Sequence, residues 1–413
     1  MRYYANFEFP YPLIAQEAPD DLNVIVVIPA YTEPDIDKTL NSLINNSDFL
    51  GSTEVIIVLN ESKNAPAGIS EFHRSQLNRL QSWAKVNSTS RLKFYPVLRD
   101  KINVKQAGVG IARKTGMDEA YKRFRSIGNL NGIIACLDAD TLTAANYLKE
   151  LSKESSASNN IKAYSIYFEH DMKNTPGESN QLAIIDYELH LRYYINMQRW
   201  LGFPFAYYTI GSAMAVRTYA YGEAFGMNKR KAGEDFYFLH KFIKTGYFKE
   251  INSTKVFPSA RLSDRVPFGT GRALSQKISA QSESLTYNYM SFEELRSMTE
   301  NLDLAFFDNA KFIEKLTSPV QEFLNRYCLE KKLTEIKDNT KSPGMFKKRF
   351  YAWFDAFKMM KYMHFCRDNY FPDITVSEAV NHLAEKLKME HGKSKREYLD
   401  LLRHKDLEGE FNV

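Results

Sequence analysis

The sequence predicts an α/β protein whose mainly parallel central sheet is flanked by helices, followed by a helical C-terminal extension. Three observations carry this. Short apolar, β-branched runs alternate with helical periodicity up to Asp138. Each run stops at proline or at polar residues. After about Leu285 the runs give way to charged helical stretches.

Asn23–Ile28 is a continuous β-branched run closed by Pro29, as expected of a strand covered on both faces. Asp35–Asn45 reads as a helix with Ile36, Leu40, Leu43 and Ile44 on one side. Glu54–Leu59 is a second buried strand, Phe72–Ala84 a helix, and Leu92–Leu98 a third, weaker strand. Val109–Phe124 is a helix opened by glycines, and Gly132–Leu137 is a fourth strand ending at Asp138. Alternation of this kind implies right-handed βαβ units. Helices are expected over Phe292–Glu300, Ala310–Lys332, Pro343–Arg367 and Val376–Met389, with Thr334–Pro343 as a connection. The expected division is residues 1–285 as the α/β domain and 286–413 as the helical extension.

Composition excludes several classes. With 413 residues, 44% hydrophobic and 25% charged, the chain is neither disordered nor low-complexity. A formal charge of +5 over this length is too mild for a dedicated nucleic-acid binder. Three widely spaced cysteines, Cys136, Cys328 and Cys366, form neither a disulfide framework nor a zinc pattern and fit a reducing compartment. Met1–Pro12 lacks the basic and apolar regions of a signal peptide. No apolar run approaches the ~18 residues of a membrane span. The expected location is cytoplasmic.

In open α/β sheets, ligands bind at the carboxyl ends of the strands. There the sequence places Tyr31-Thr32-Glu33, Asn60-Glu61-Ser62, Arg99-Asp100 and Asp138-Ala139-Asp140. Two carboxylates one residue apart at a strand end can face one hard divalent cation, or can simply cap the following helix. Gly233-Glu234-Asp235 opens an aromatic-rich helix: the carboxylates either complement the helix dipole or supply a general base. The glycines of Gln106–Gly116 permit close backbone approach of a ligand or of a packed neighbour. Arg261, Arg265 and Arg272, in a glycine-containing loop, can clamp a diphosphate or remain solvated.

The order of these features resembles a family 2 glycosyltransferase with the Rossmann-like GT-A fold, over roughly residues 22–275. The resemblance rests on Val-Ile-Pro-Ala-Tyr-Thr-Glu after the first strand, Asn-Glu-Ser after the second, and Ala107–Gly116. It continues through Asp138-Ala-Asp140, Gly211–Arg217 and Gly233-Glu-Asp235. It implies that Pro29, Ala30, Tyr31 and Glu33 contact the nucleotide base. Asn60 and Glu61 stand where an Asp usually reads uracil, which departs from the family pattern. It further implies that Arg113 lies on the donor side and that Gly211, Ser212 and Ala213 line the donor-sugar and acceptor pocket. Asp140 would be the more direct ligand of Mn²⁺ or Mg²⁺, with Asp138 on the ribose or a metal-bound water. Asp235 would be the base, with Glu234 binding the acceptor or tuning Asp235. The histidine that often follows the Glu-Asp pair is missing between Gly246 and Leu285, leaving its place to Asp264 or water. Gln198-Arg199-Trp200 echoes a motif of processive synthases but precedes the Glu-Asp pair, so a processive polymerase is not expected.

The resemblance thus implies metal-assisted, non-processive and inverting transfer. The donor is a nucleotide-diphosphate sugar, with UDP favoured over GDP, and the acceptor a hydroxyl-bearing glycan or lipid-linked molecule, as in cell-surface polysaccharide or glycolipid assembly. The alternatives are a retaining enzyme and a catalytically silent GT-A-like binding protein. Phe346–Phe365 mixes aromatics with Lys347, Lys348, Arg349, Lys358 and Lys361. Packing of its aromatic face on the protein is expected over peripheral contact with the inner face of a membrane.

Overall fold

The computed structural model describes residues 12–172, 175, 177–230, 233–260 and 284–409. The chain divides into two compact units: Met1–Thr175 with Thr209–Arg272, and Pro176–Tyr208 with Ala273–Val413.

The first unit begins β1 (Leu22–Ala30), α1 (Ile36–Ile44), β2 (Ser52–Ser62), α2 (Ala67–Asn87), β3 (Leu92–Ile102), α3 (Val109–Ser126) and β4 (Ile133–Cys136). It continues with β5 (Leu142–Thr143), α4 (Tyr147–Ser156) and β6 (Ala163–Phe168). Helix α5 (Glu178–Trp200) belongs to the second unit. The first unit resumes with β7 (Met214–Arg217), α6 (Thr218–Glu223), α7 (Glu234–Ile243) and β8 (Phe248–Phe257). The strand order is β3-β2-β1-β4-β7-β6-β8-β5. Strands β3, β2, β1 and β4 run parallel, as the alternating pattern requires. Strand β7 is antiparallel to both β4 and β6, and β5 is antiparallel to β8. The sheet is therefore mixed beyond β4. The fully buried apolar runs of β1 and β2 form its centre.

Helix α3 is held against that centre by a close approach and an ion pair. A Cβ on Gly116 would overlap Val27 and crowd Val58, so only glycine lets the helix backbone come down onto β1 and β2. Nearer its C-terminal end, Arg123 makes a bidentate pair with the fully buried Glu54 of β2, both contacts at 2.5 Å. These two anchors fix where the first turn of α3, and Arg113 with it, meets the sheet.

The second unit is helical: α5, α8 (Tyr289–Thr299), α9 (Leu304–Phe307), α10 (Asn309–Lys315), α11 (Ser318–Asn325) and α12 (Leu329–Asp338). Then come α13 (Pro343–Trp353), α14 (Ala356–Asn369), α15 (Val376–Lys386) and α16 (Lys395–Glu408). The stretch Ala310–Lys332, expected as one helix, is broken into three. Pro319 enters in the first turn of α11, and Cys328 takes a left-handed φ of 55° before α12. Helix α12 runs on to Asp338, so the connection expected from Thr334 is shorter. Pro343–Arg367 is two helices, because the Asp355 carboxylate accepts from the N–H groups of Phe357 and Lys358 and starts α14. Phe346, Phe350, Tyr351, Phe354 and Phe365 are buried in this unit. Among the described residues no helix is long and apolar enough to cross a membrane.

A buried ionic network joins α5 to α16. Glu188 accepts from Arg192 and Arg403, while Asp406 accepts from Arg192, Asn196, Arg199 and the Tyr208 hydroxyl. Arg199 also donates to the Ala206 carbonyl at 3.2 Å. The arginine of the Gln-Arg-Trp sequence thus has a structural place within the second unit.

Candidate active site

The parallel register aligns the strand ends. Ala30 pairs with Leu59, Asn60 with Arg99, and Val27 with Cys136. Tyr31, Asn60-Glu61 and Asp138 therefore leave adjacent strands on one edge. Because β7 is antiparallel to β4, with Cys136 opposite Met214, the segment Gly211-Ser212-Ala213 arrives at the same edge from the other direction.

Asp138 and Asp140 sit in a tight turn closed by the Thr141 N–H on the Asp138 carbonyl, 3.0 Å. Thr39 of α1 holds the intervening residue, its hydroxyl donating to the Ala139 carbonyl at 2.9 Å. The two acidic side chains are half-buried, and Ala139 is buried. Gly233 adopts φ 68° and opens α7, placing Glu234 and Asp235 in its first turn.

Arg113 connects these two acidic sets. Its guanidinium is buried and donates to Asp138 Oδ1 at 2.5 Å and to Glu234 Oε1. Burial alone would lower its pKa, but Asp138, Glu234 and Asp235 more than reverse that, so it stays charged. The carboxyls of Glu234 and Asp235 are raised above their ordinary 4.5 and 3.8, chiefly by burial. Arg113 opposes both shifts. The Phe236 N–H donates to Asp235 Oδ1 at 2.8 Å and also favours the ionised form. A carboxylate with a raised pKa is a stronger base than a free one, which suits proton abstraction. Burial pushes the nearby Cys136 thiol up to about 12, so it stays protonated and offers no thiolate nucleophile.

The glycines have local reasons here. A Cβ on Gly211 would overlap the Arg113 guanidinium. One on Gly110 would overlap the Arg230 carbonyl in the segment that leads to Glu234. Asn60 Nδ2 reaches the Gly108 carbonyl at 3.4 Å, tying the end of β2 to the start of α3.

The other expected contacts fall as follows. Pro29 and Ala30 are buried at the end of β1, and Tyr31 is exposed. Glu33 is buried and accepts from the Asp35 N–H at 3.2 Å. Glu61 is buried and accepts from Ser70 and His73. Ser212 is buried beside Gly211. Arg261, Arg265, Arg272 and Asp264 lie outside the described residues.

His73 and Gln76 of α2 are not among the residues singled out from the sequence. Their signal is positional: the buried stripe of α2 runs His73, Gln76, Leu80, Ala84, so two polar residues occupy apolar places. Among the described residues no group of three or more His, Cys, Asp or Glu side chains is arranged to hold a metal ion. Asp138 and Asp140 supply two oxygen-bearing side chains in one turn.

The glycosyl transferase family 2 model matches residues 25–222. Over that span the chain is a family 2 glycosyltransferase. The match covers Asp138, Asp140, Arg113 and Gly211 and stops before Glu234 and Asp235; it is the fold that brings this last pair of the glycosyltransferase to Arg113. Among solved structures, the chain is similar to S. aureus TarS 1–349 in complex with UDP. Identity is 13%, with 76% of this chain and 88% of that chain covered, at a TM-score of 0.41. The complex of the same protein with UDP-GlcNAc is 13% identical, covering 95% and 93%, at 0.39. No curated protein matches the chain.

Proposed function

We propose that this glycosyltransferase moves a sugar from a nucleotide-diphosphate sugar, UDP-linked by preference, to a hydroxyl on a glycan or lipid-linked acceptor, with inversion. The observation that carries the reading is the convergence on Arg113 of two acidic sets: Asp138 after β4, and Glu234 beside Asp235 on α7.

Asp235 takes the acceptor proton as the hydroxyl oxygen attacks the anomeric carbon. The bond from that carbon to the diphosphate oxygen breaks, and its electron pair leaves with the diphosphate. Burial keeps Asp235 basic, and Glu234, bonded to Arg113, fixes the first turn of α7 that presents it. Arg113 is enclosed by carboxylates and acts by holding the two acidic sets in register, rather than by direct pairing with a phosphate.

Asp138 and Asp140 fit a hard divalent cation, Mn²⁺ or Mg²⁺. One oxygen of Asp138 is bonded to Arg113, yet 38% of its side chain remains exposed, and Asp140 shares its turn. Two carboxylates are the usual protein share for such an ion when diphosphate oxygens and water complete its shell. When bound, the ion would neutralise charge on the leaving diphosphate.

The test is turnover of UDP-sugars by the parent and by Asp235→Asn, with the anomeric configuration of the product read by NMR. A general base contributes about 10²–10⁴-fold. The reading requires a loss in that range, retained nucleotide binding and an inverted product. Unchanged turnover removes Asp235 from the role, and a retained configuration removes the single-displacement step.

A further inference from the structure

The loop after β1 is held from α2. The fully buried His73 ring lies between two partners: Nδ1 is 3.1 Å from Glu61 Oε2, and Nε2 is 3.4 Å from the Thr32 backbone nitrogen. A backbone N–H can only donate, so Nε2 accepts and the proton on Nδ1 is given to Glu61. One turn along the helix, the Gln76 amide donates to the Glu33 carbonyl at 2.5 Å. Helix α2 thus grips two adjacent residues of the loop, one by its N–H and one by its C=O. Thr32 has φ 47°, a region few non-glycine residues adopt and one that persists only where the surroundings hold it. The Tyr31 ring stands edge-on to His73 at 5.5 Å and is 43% exposed. Glu61, at the end of the neighbouring strand, is fixed by the same histidine and by Ser70 at 3.1 Å.

One buried imidazole therefore keys two strand-end segments, Tyr31–Glu33 and Asn60–Glu61, to each other. We infer that His73 and Gln76 are positioning residues for the nucleoside half of the donor: they set Tyr31, Glu33 and Glu61 at the spacing that receives the base. This rests on the donor reading above. The hydrogen bonds of His73 and Gln76 go to Thr32, Glu61 and Glu33, so the grip on the diphosphate and the chemical step should be indifferent to them.

The experiment measures, by calorimetry with Mn²⁺ present, the affinity of the full chain for the tighter-bound of UDP and GDP, and for inorganic pyrophosphate. The variants are His73→Leu, His73→Gln and Gln76→Met, each checked for the parent's circular dichroism. His73→Leu and Gln76→Met should each weaken the nucleotide about tenfold, the size of one lost buried hydrogen bond, while pyrophosphate affinity holds. His73→Gln keeps an acceptor for the Thr32 N–H and should recover part of the loss. In turnover the defect should appear in the donor KM and not in kcat. If His73→Leu fails to fold, Gln76→Met carries the same expectation. Unchanged nucleotide affinity in the folded variants overturns the inference. So does equal weakening of nucleotide and pyrophosphate, which a merely structural role would give. A parent that binds neither nucleotide overturns the donor reading first, and this inference with it.

Discussion

Gly211 lies against the guanidinium of Arg113 so closely that a Cβ at 211 would overlap both Nη atoms. The glycine of the β7 entry and the arginine of α3 are thus one device. The long Arg113 side chain would ordinarily swing aside, but Asp138 and Glu234 hold its far end. Gly211→Ala should therefore displace the link between the two acidic sets at a cost of about 1–3 kcal/mol in stability. Loss of kcat/KM with a modestly lowered urea midpoint would be the signature. Parent-like kinetics would show that the link tolerates displacement.

Arg113→Met should be more severe. It leaves Asp138, Glu234 and Asp235 without their buried cation, and breaking such a pair typically costs about 3–5 kcal/mol. Because Arg113 lowers the carboxyl pKa of both Glu234 and Asp235, its removal should also move the acid limb of the rate profile to higher pH. Urea unfolding and a pH–kcat/KM profile check the two effects separately.

The raised carboxyls carry a pH signature of their own. Each binds its proton more tightly folded than unfolded, so its contribution to stability is full below the unfolded value, near 3.8 for Asp235 and 4.5 for Glu234. It is lost as pH rises through the folded values. Activity runs the other way, since the base must be ionised. Turnover should climb over the window in which this share of stability falls. Unfolding free energy measured across that window should fall less steeply with pH in the double variant Glu234→Gln/Asp235→Asn than in the parent.

Within the second unit, Asp406→Ala would leave Arg192, Arg199 and the Tyr208 hydroxyl without their shared acceptor. Removing one member of a buried ionic network costs about 3–5 kcal/mol. A loss of that size in the unfolding free energy from urea titration is expected, and a loss below about 1 kcal/mol would mean that α16 is not fastened to α5 by this network.

The sequence displays some of this and hides the rest for physical reasons. Strands β1, β2 and β4 are legible because both faces of a central parallel strand are buried, which forces the unbroken runs of valine and isoleucine. Strands β5 to β8 are not named by the same reading. Two of them, Leu142–Thr143 and Met214–Arg217, are too short for any period, and β8 carries Lys249 and Ser253 at exposed positions and Glu250 and Asn252 at half-buried ones. Helix α5 escapes because Asp186, Glu188 and Arg192 are buried along with its apolar residues, which blurs the helical stripe. At the site, Asp138, Asp140, Glu234 and Asp235 announce themselves as acidic pairs. That Arg113 joins them across 121 positions of sequence is a product of the fold alone. His73 and Gln76 stay hidden because a polar residue in a helix reads as solvent-facing until the helix is docked.

The most direct test of the central claim is the unfolding temperature of the full chain with UDP, GDP and their common sugar conjugates, each with and without Mn²⁺. A ligand that binds only the native state raises apparent stability by about 2.7 kcal/mol at a hundredfold excess over its Kd. An upward shift is expected with one nucleotide and its conjugates, larger with Mn²⁺, with loss of the Mn²⁺ increment in Asp140→Ala. No shift with any nucleotide at millimolar concentration, with or without metal, would contradict it.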